Sequence, residues 1–462
     1  MTRSPEPHVV VLGAGLCGLS AARALAENGV LVTVLESRDE VGGLAAGRQR
    51  GDNFYDFGVH HLHASDEKVF ADVSELTGSR LLPVEKLALI RFGEGCRRYP
   101  LSLSDLVSGL PTPTLLRSFA GLGTQMLANR LLDRDPEDAE QALIRLYGRP
   151  LYTRFFRDFT RQYWGVSPDR LSATFVRTTM PRLSAVDLVR RSLRWCGIRE
   201  QKVSEVESAS RSETLSYWPT GVRELPMAIA EKIRRSGGEI RLSSPVTEVL
   251  TTDGRVTAVR CGRGEELLEC DACLSTVPLT TLVASLDPPP PHEVLGACEQ
   301  LTWRASAVYG FLVRRTQVLD AQYLYCRDRI FHRVAEPKNS GLQVVPPDWT
   351  ILLAEATCSI GDETWRGDGA AVRRFIADME AEGLIAADDV AEHHVFTEAH
   401  AYPVYHLGFE SRLAAVTEFL SGFDNLWSTG RQGTFSYPKM HRAVRMGMDA
   451  AHQVLRSLPS PA

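Results

Sequence analysis

The chain has few cysteines, no long apolar run and no excess of charge of either sign. Nine cysteines in 462 residues are too few and too scattered for a disulfide framework. The one close pair, Cys270 and Cys273, has no second Cys or His pair at metal-ligand spacing, so no metal site is expected and two half-buried thiols beside a strand remain. No stretch of roughly 18 apolar residues occurs, which excludes a membrane-spanning helix. The 52 Lys and Arg stand against 57 Asp and Glu, a net charge of −5. That balance gives no whole-chain drive toward nucleic acid or an anionic membrane. The opening residues run into an apolar strand without a leader-like region, and a reducing, cytoplasmic setting is the expectation. There is no internal repeat and no low-complexity tract. What remains, 44% hydrophobic and 24% charged, is an ordinary globular composition with material for about two to four domains.

The first forty residues carry the strongest pattern. His8–Leu12 is a β-branched apolar run bounded by glycine and predicts a buried parallel strand. Leu16–Asn28 has helical spacing and stops at Gly29. Val30–Leu35 predicts a second buried strand, closed by Glu36. Between the first strand and the helix lies Gly13-Ala-Gly15-Leu-Cys-Gly18. Gly13 permits the tight turn, Gly15 lets a pyrophosphate approach the backbone, and Gly18 lets helix and strand pack closely. The helix N-terminus then offers unpaired N–H groups to phosphate, and Glu36 offers a carboxylate to the ribose hydroxyls. Strand, glycines, helix, second strand and acid together predict dinucleotide binding. No second such motif is present, so no dedicated nicotinamide site is expected.

Further along, residues 100–200 have apolar positions at helical intervals and few strand-like runs. Residues 183–216 are rich in Arg, Ser and Glu and read as a mobile loop or a solvated connection. From Pro219 the αβ pattern returns: a helix with a glycine stop, a hairpin turning at Asp253-Gly254, and a short buried strand at 272–278. Residues 300–400 alternate in strand fashion around one helix near Ala370–Glu382.

Glu36-Ser-Arg38 followed by Gly42-Gly43 resembles the FAD-dependent amine oxidase and protoporphyrinogen oxidase superfamily. In that family the Arg and the Gly pair line the FAD ribose and pyrophosphate. The resemblance continues in Val246, on the strand that meets the adenine, and in Gly430-Arg431 with Gly433, which lays a helix N-terminus against the flavin. Met440 falls in the same motif, but His441 follows it where the family has an acid. The implied fold is α/β: a Rossmann-type FAD-binding domain built from 1–95, 217–290 and 401–462. A mostly helical insertion at 96–216 lines the substrate cleft, and 291–400 form an antiparallel substrate-binding sheet.

Several pieces are similar to the UDP-galactopyranose mutase branch. Asp56-Phe-Gly58-Val-His60-His61-Leu-His63 resembles its loop beside the isoalloxazine, which implies a catalytic place for His60 or His63. Tyr163-Trp164 resembles the helical segment lining the substrate cleft. Arg333 resembles the arginine that grips a substrate diphosphate, and Tyr402, Tyr405 and Tyr437 the tyrosines around sugar and phosphate. Arg182, Arg190 and Arg191 are candidates for a second phosphate contact. Each residue also has a plainer reading. The three histidines alternate, so they cannot all face one way. Trp164 also suits helix packing, Arg333 a sheet-surface ion pair, and Tyr402 and Tyr405 a domain interface. The resemblance implies chemistry at the flavin N5 on a polar, nucleotide-linked or anionic sugar, as rearrangement or two-electron redox. The alternatives are a general oxidase of a small metabolite using oxygen, and a binding module that holds FAD structurally.

Overall fold

In the computed structural model the chain is described over residues 7–458, except 59, 93–94, 100, 102–104, 106–110, 132–134, 180–214 and 265. Arg182, Arg190, Arg191 and nearly all of the 183–216 stretch lie outside the described residues.

A five-stranded parallel sheet organises the first unit. His8–Leu12 runs at its centre between Leu31–Leu35 and Ala272–Ser275, with Glu239–Arg241 and Leu426–Ser428 at the edges. Val9 to Leu12 are fully buried, as a central strand covered on both faces must be. Three chain portions far apart in sequence therefore build one sheet. The Leu16–Glu27 helix packs on it and is covered in turn by Glu224–Arg235 and Met440–Ser457.

The last helix buries Met440, Val444, Gly447, Ala451 and Val454, a stripe at spacings of three and four. Gly447 lies so close to the first helix that an added Cβ would overlap the carbonyl oxygen of Cys17. Gly447→Ala is expected to destabilise the fold by about 3 kcal/mol through overpacking, read as a lower urea midpoint at unchanged m-value.

The second unit centres on a seven-stranded sheet. Its spatial order is Val390–Pro403, Trp303–Val313, Thr350–Cys358, Arg333–Ala335, Tyr323–Tyr325, Ala88–Phe92 and Gly95–Tyr99. It is antiparallel except where Tyr323–Tyr325 meets Ala88–Phe92 in parallel. The 88–99 hairpin thus belongs to this sheet and not to the dinucleotide unit, and the sheet's long edge strand runs to Pro403. Short strands of the hairpin type carry weak local signals, and only the tertiary pairing decides which sheet they join. The expected helical insertion is present as Thr112–Leu131, Ala139–Tyr147, Arg157–Trp164 and Ala173–Thr179. Among the described residues no helix is long and apolar enough to cross a membrane.

Candidate functional site

A cavity of about 420 Å³ opens where the ends of the parallel strands meet the seven-stranded sheet, the place an open α/β sheet offers a ligand. Gly13, Gly15, Glu36, Arg38, Gly42, Gly43, Val246, Gly430, Arg431 and Met440 all line it. So does His60.

The glycines hold different duties. Gly13 has φ +97°, and a Cβ there would sit 2.6 Å from Thr276 Oγ1. Gly18 is outside the cavity lining, and its Cβ would overlap the Gly13 carbonyl, so it serves helix–strand packing. Gly15 has an ordinary φ of −72°, and a Cβ there would meet nothing within 4 Å. The protein's own packing therefore does not demand glycine at 15. The open space faces the start of the Leu16–Glu27 helix, which no side chain caps. Unpaired N–H groups and a positive dipole end in front of an open cradle fit a pyrophosphate.

Glu36 closes its strand with both carboxylate oxygens engaged. Oε2 accepts from the Ala14 amide at 2.8 Å, and Oε1 accepts from the Arg38 amide at 3.0 Å. These bonds fix the carboxylate at the cavity wall while leaving lone pairs for ribose hydroxyls. The Cys17 thiol, also in the wall, is pushed up to about 12 by burial and stays protonated.

His60 enters from the loop that follows Gly58. Burial drives it down to about 4; the Gly58 carbonyl, 3.3 Å away, opposes this, and the charges of Arg431 and Arg333 lower it further. It is a neutral imidazole at pH 7. His61 turns away to Ser340, at 2.8 Å, and against the Tyr217 ring. His63 is not brought to the cavity: it lies 3.5 Å from Lys439 and packs on the His441 ring. The alternation along this loop separates the three, and of them His60 lines the cavity.

The loop is anchored by Asp56, which is 1% exposed. The Tyr217 hydroxyl donates to it at 2.5 Å and the Val222 amide at 3.2 Å. Burial raises its carboxyl from 3.8 to about 6 against those two bonds. A raised folded-state value favours the protonated form. The contribution is complete below the unfolded value and is lost as pH rises through about 6. Wild type is therefore expected to lose roughly 2 kcal/mol relative to Asp56→Asn between pH 4 and 6, measured by denaturant unfolding at each pH.

Beside the cavity lies an aromatic cluster. The Arg431 guanidinium sits 4.0 Å from the Tyr437 ring centre and 5.2 Å from that of Tyr402. Tyr402 contacts Tyr163 and Trp164, and Tyr163 contacts His332. Arg333 stands over Tyr323 and Tyr325. Its Nε donates to Glu355 at 2.8 Å, and a second nitrogen closes the fork on the other carboxylate oxygen. Tyr405 is elsewhere: it is buried, stacked on Phe409 at 4.3 Å and near Phe435, in the domain core. Trp164 is likewise buried against Phe175 while touching the cluster.

Four residues of the site escaped sequence reasoning. Glu398 and His400 line the cavity from the long edge strand, and Tyr325 and Glu355 surround Arg333. The period-two spacing of Glu398 with His400, and of Tyr323 with Tyr325, was the available signal: such pairs share one face of a strand.

The fold and cavity together define a two-unit α/β protein with a glycine-lined cavity that fits a dinucleotide. The chain matches the family described as "Flavin containing amine oxidoreductase" over residues 16–455 and belongs to it; this is a family of FAD-dependent enzymes, and the cofactor is FAD. The chain is 25% identical over 192 residues to a "Probable UDP-galactopyranose mutase" of Klebsiella pneumoniae, covering 39% of this chain and 47% of that protein. It is 27% identical over 293 residues to a chloroplastic/chromoplastic 15-cis-phytoene desaturase of Glycine max, covering 60% and 49%. The chain thus spans about half the length of these curated relatives. Among solved structures it is similar to a reduced UDP-galactopyranose mutase, with a TM-score of 0.80 at 19% identity over 99% of this chain and 96% of that one. It is also similar to a putrescine oxidase bound to putrescine, with a TM-score of 0.66 at 16% identity over 98% and 99%. At these identities the structural likeness establishes the fold.

Proposed function

We propose that this protein is a flavoenzyme acting on a polar, anionic substrate of the nucleotide-sugar class. One observation carries the reading: Arg431 lines the cavity with His60, and Arg333 is forked to Glu355, whose carboxylate lies against Gly58 two residues before His60, so two guanidiniums border this part of the site. FAD, when bound, supplies two-electron chemistry, or nucleophilic chemistry once reduced, at its N5. The chain's own residues do the rest. Arg333 and Arg431 would hold phosphate oxygens, since a guanidinium fork matches them in pairs. Tyr163, Tyr402 and Tyr437 present hydroxyls toward sugar and phosphate, and the apolar bodies of their rings exclude water. Neutral His60 offers a hydrogen bond at its second ring nitrogen without adding charge. Gly13, Gly15, Glu36, Gly42 and Gly43 hold the cofactor's ribose and pyrophosphate.

A second reading is a general oxidoreductase of an uncharged small metabolite with oxygen as acceptor. It draws on Glu355, which already neutralises Arg333. One experiment separates the two. Dithionite-reduced enzyme is incubated anaerobically with nucleoside diphosphate hexoses. The expected result is interconversion of isomers without net redox change, or a ligand-induced shift of the flavin spectrum. Stoichiometric oxygen consumption with small uncharged metabolites, and no spectral response to nucleoside diphosphates, would overturn the sugar reading.

A further inference from the structure

Arg38 is expected to face the cofactor, yet its side chain reaches across to the other unit. One guanidinium nitrogen donates to Glu398, which lies on the Val390–Pro403 edge strand of the substrate sheet. The two come from different units and line the same cavity. Glu398 is 7% exposed, and its second oxygen accepts from the His400 amide at 3.1 Å, which fixes the carboxylate's direction. Arg38 is fixed as well: its amide donates to Glu36 and its carbonyl accepts from the Ser243 amide at 2.7 Å.

The same strand is tied to the far side of the cavity. Gln432 donates to the His400 carbonyl at 2.9 Å, and Arg431 to the Ala401 carbonyl at 2.6 Å. The edge strand therefore crosses the cofactor site as a strut, pinned from the C-terminal turn on one side and from the loop after Glu36 on the other. The two fastenings differ in kind. On the C-terminal side they are charged or amide donors to backbone carbonyls, which no side-chain substitution in the strand removes. On the Glu36 side the tie is one side-chain ion pair.

We propose that the Arg38–Glu398 pair is a latch across the bound FAD, one that slows cofactor exchange in both directions. A closed pair bars the way between the units. A broken pair lets the loop after Glu36 part from the edge strand while Glu36 and the glycines remain able to hold the dinucleotide. A latch raises the barrier between two states without changing their difference, so its removal speeds release and uptake alike. A residue that simply binds FAD would change release alone and weaken affinity in proportion.

The test uses holoenzyme. Exchange of bound FAD for isotopically labelled FAD gives the release rate, and ultrafiltration of diluted holoenzyme gives the dissociation constant; their ratio gives uptake. For Glu398→Gln, which keeps an oxygen for the His400 amide, we expect release and uptake both faster by about tenfold, with the dissociation constant nearly constant. Added salt should speed exchange in wild type and not in the variant. Arg38→Gln should speed FAD uptake to the same extent, and the double variant should take up FAD no faster than either single one. Unchanged exchange in a folded, yellow variant overturns the latch, as does faster release with affinity falling in step. Either result leaves FAD as the cofactor; a colourless wild type would instead overturn the cofactor itself.

Discussion

Gly15→Val is expected to give a folded protein without flavin. The backbone at 15 has φ −72° and ψ 171°, an extended conformation open to any residue. The new Cβ meets no atom within 4 Å, so the helix and both strands stay in register. Its branches fill the space in front of the first-turn N–H groups, where the pyrophosphate must come close. Two charge-assisted hydrogen bonds lost at about 1.5–3 kcal/mol each remove about 3–6 kcal/mol of cofactor affinity. The neighbouring glycines make the control. At Gly18 a Cβ overlaps the Gly13 carbonyl, and at Gly13 it meets Thr276 with φ at +97°. Substitutions there are expected to damage the fold itself. The measurement is visible absorbance per mole of protein beside the thermal midpoint of denaturant-treated samples. A Gly15→Val protein that purifies with full flavin would remove the pyrophosphate from this turn.

That contrast also marks how far the sequence could be read. The nucleotide half was legible because each of its parts is local: a β-branched run, three glycines, a helix and an acid within 36 residues. Their physical roles follow from spacing alone, and the structure puts Gly13, Gly15 and Glu36 at one cavity. The substrate half depends on which strand lies beside which. Nothing local shows that 88–99 joins the sheet of 303–403, or that Glu355 and Arg333 are register partners in adjacent strands. His60 and His63 look equivalent in sequence, and only the tertiary placement separates a cavity residue from one packed on His441. Tyr405 has the same aromatic character as Tyr402, but three positions along the chain it faces Phe409. Charge pairs across sheets are the least legible feature of all, since Arg38 and Glu398 are 360 positions apart.

Loss of Arg333 is expected to abolish tight diphosphate binding, but the measurement has to be made against a corrected background. Arg333 and Glu355 form a two-bond fork, with side chains 20% and 4% exposed. Arg333→Ala takes the fork away from a buried carboxylate that lies against Gly58, about 3.0 Å from where a Cβ would stand. Removing one partner of a buried ion pair costs about 3–5 kcal/mol, and a fall in stability of that size would hide any effect on binding. Glu355→Gln removes the charge and keeps the shape, so Arg333→Ala is best made in that background, where most of the stability should return. If Arg333 holds substrate phosphate, Glu355→Gln alone should tighten UDP, because the guanidinium no longer divides itself between two anions. Adding Arg333→Ala should then weaken UDP by about 2–4 kcal/mol, the worth of a charge-assisted bidentate contact. Calorimetric titration of reduced enzyme with UDP reads both steps. Equal UDP affinity with and without Arg333 in the Glu355→Gln background would make the pair a structural brace beneath the His60 loop. The recess would then lack its main cation, and the uncharged-substrate reading would take precedence.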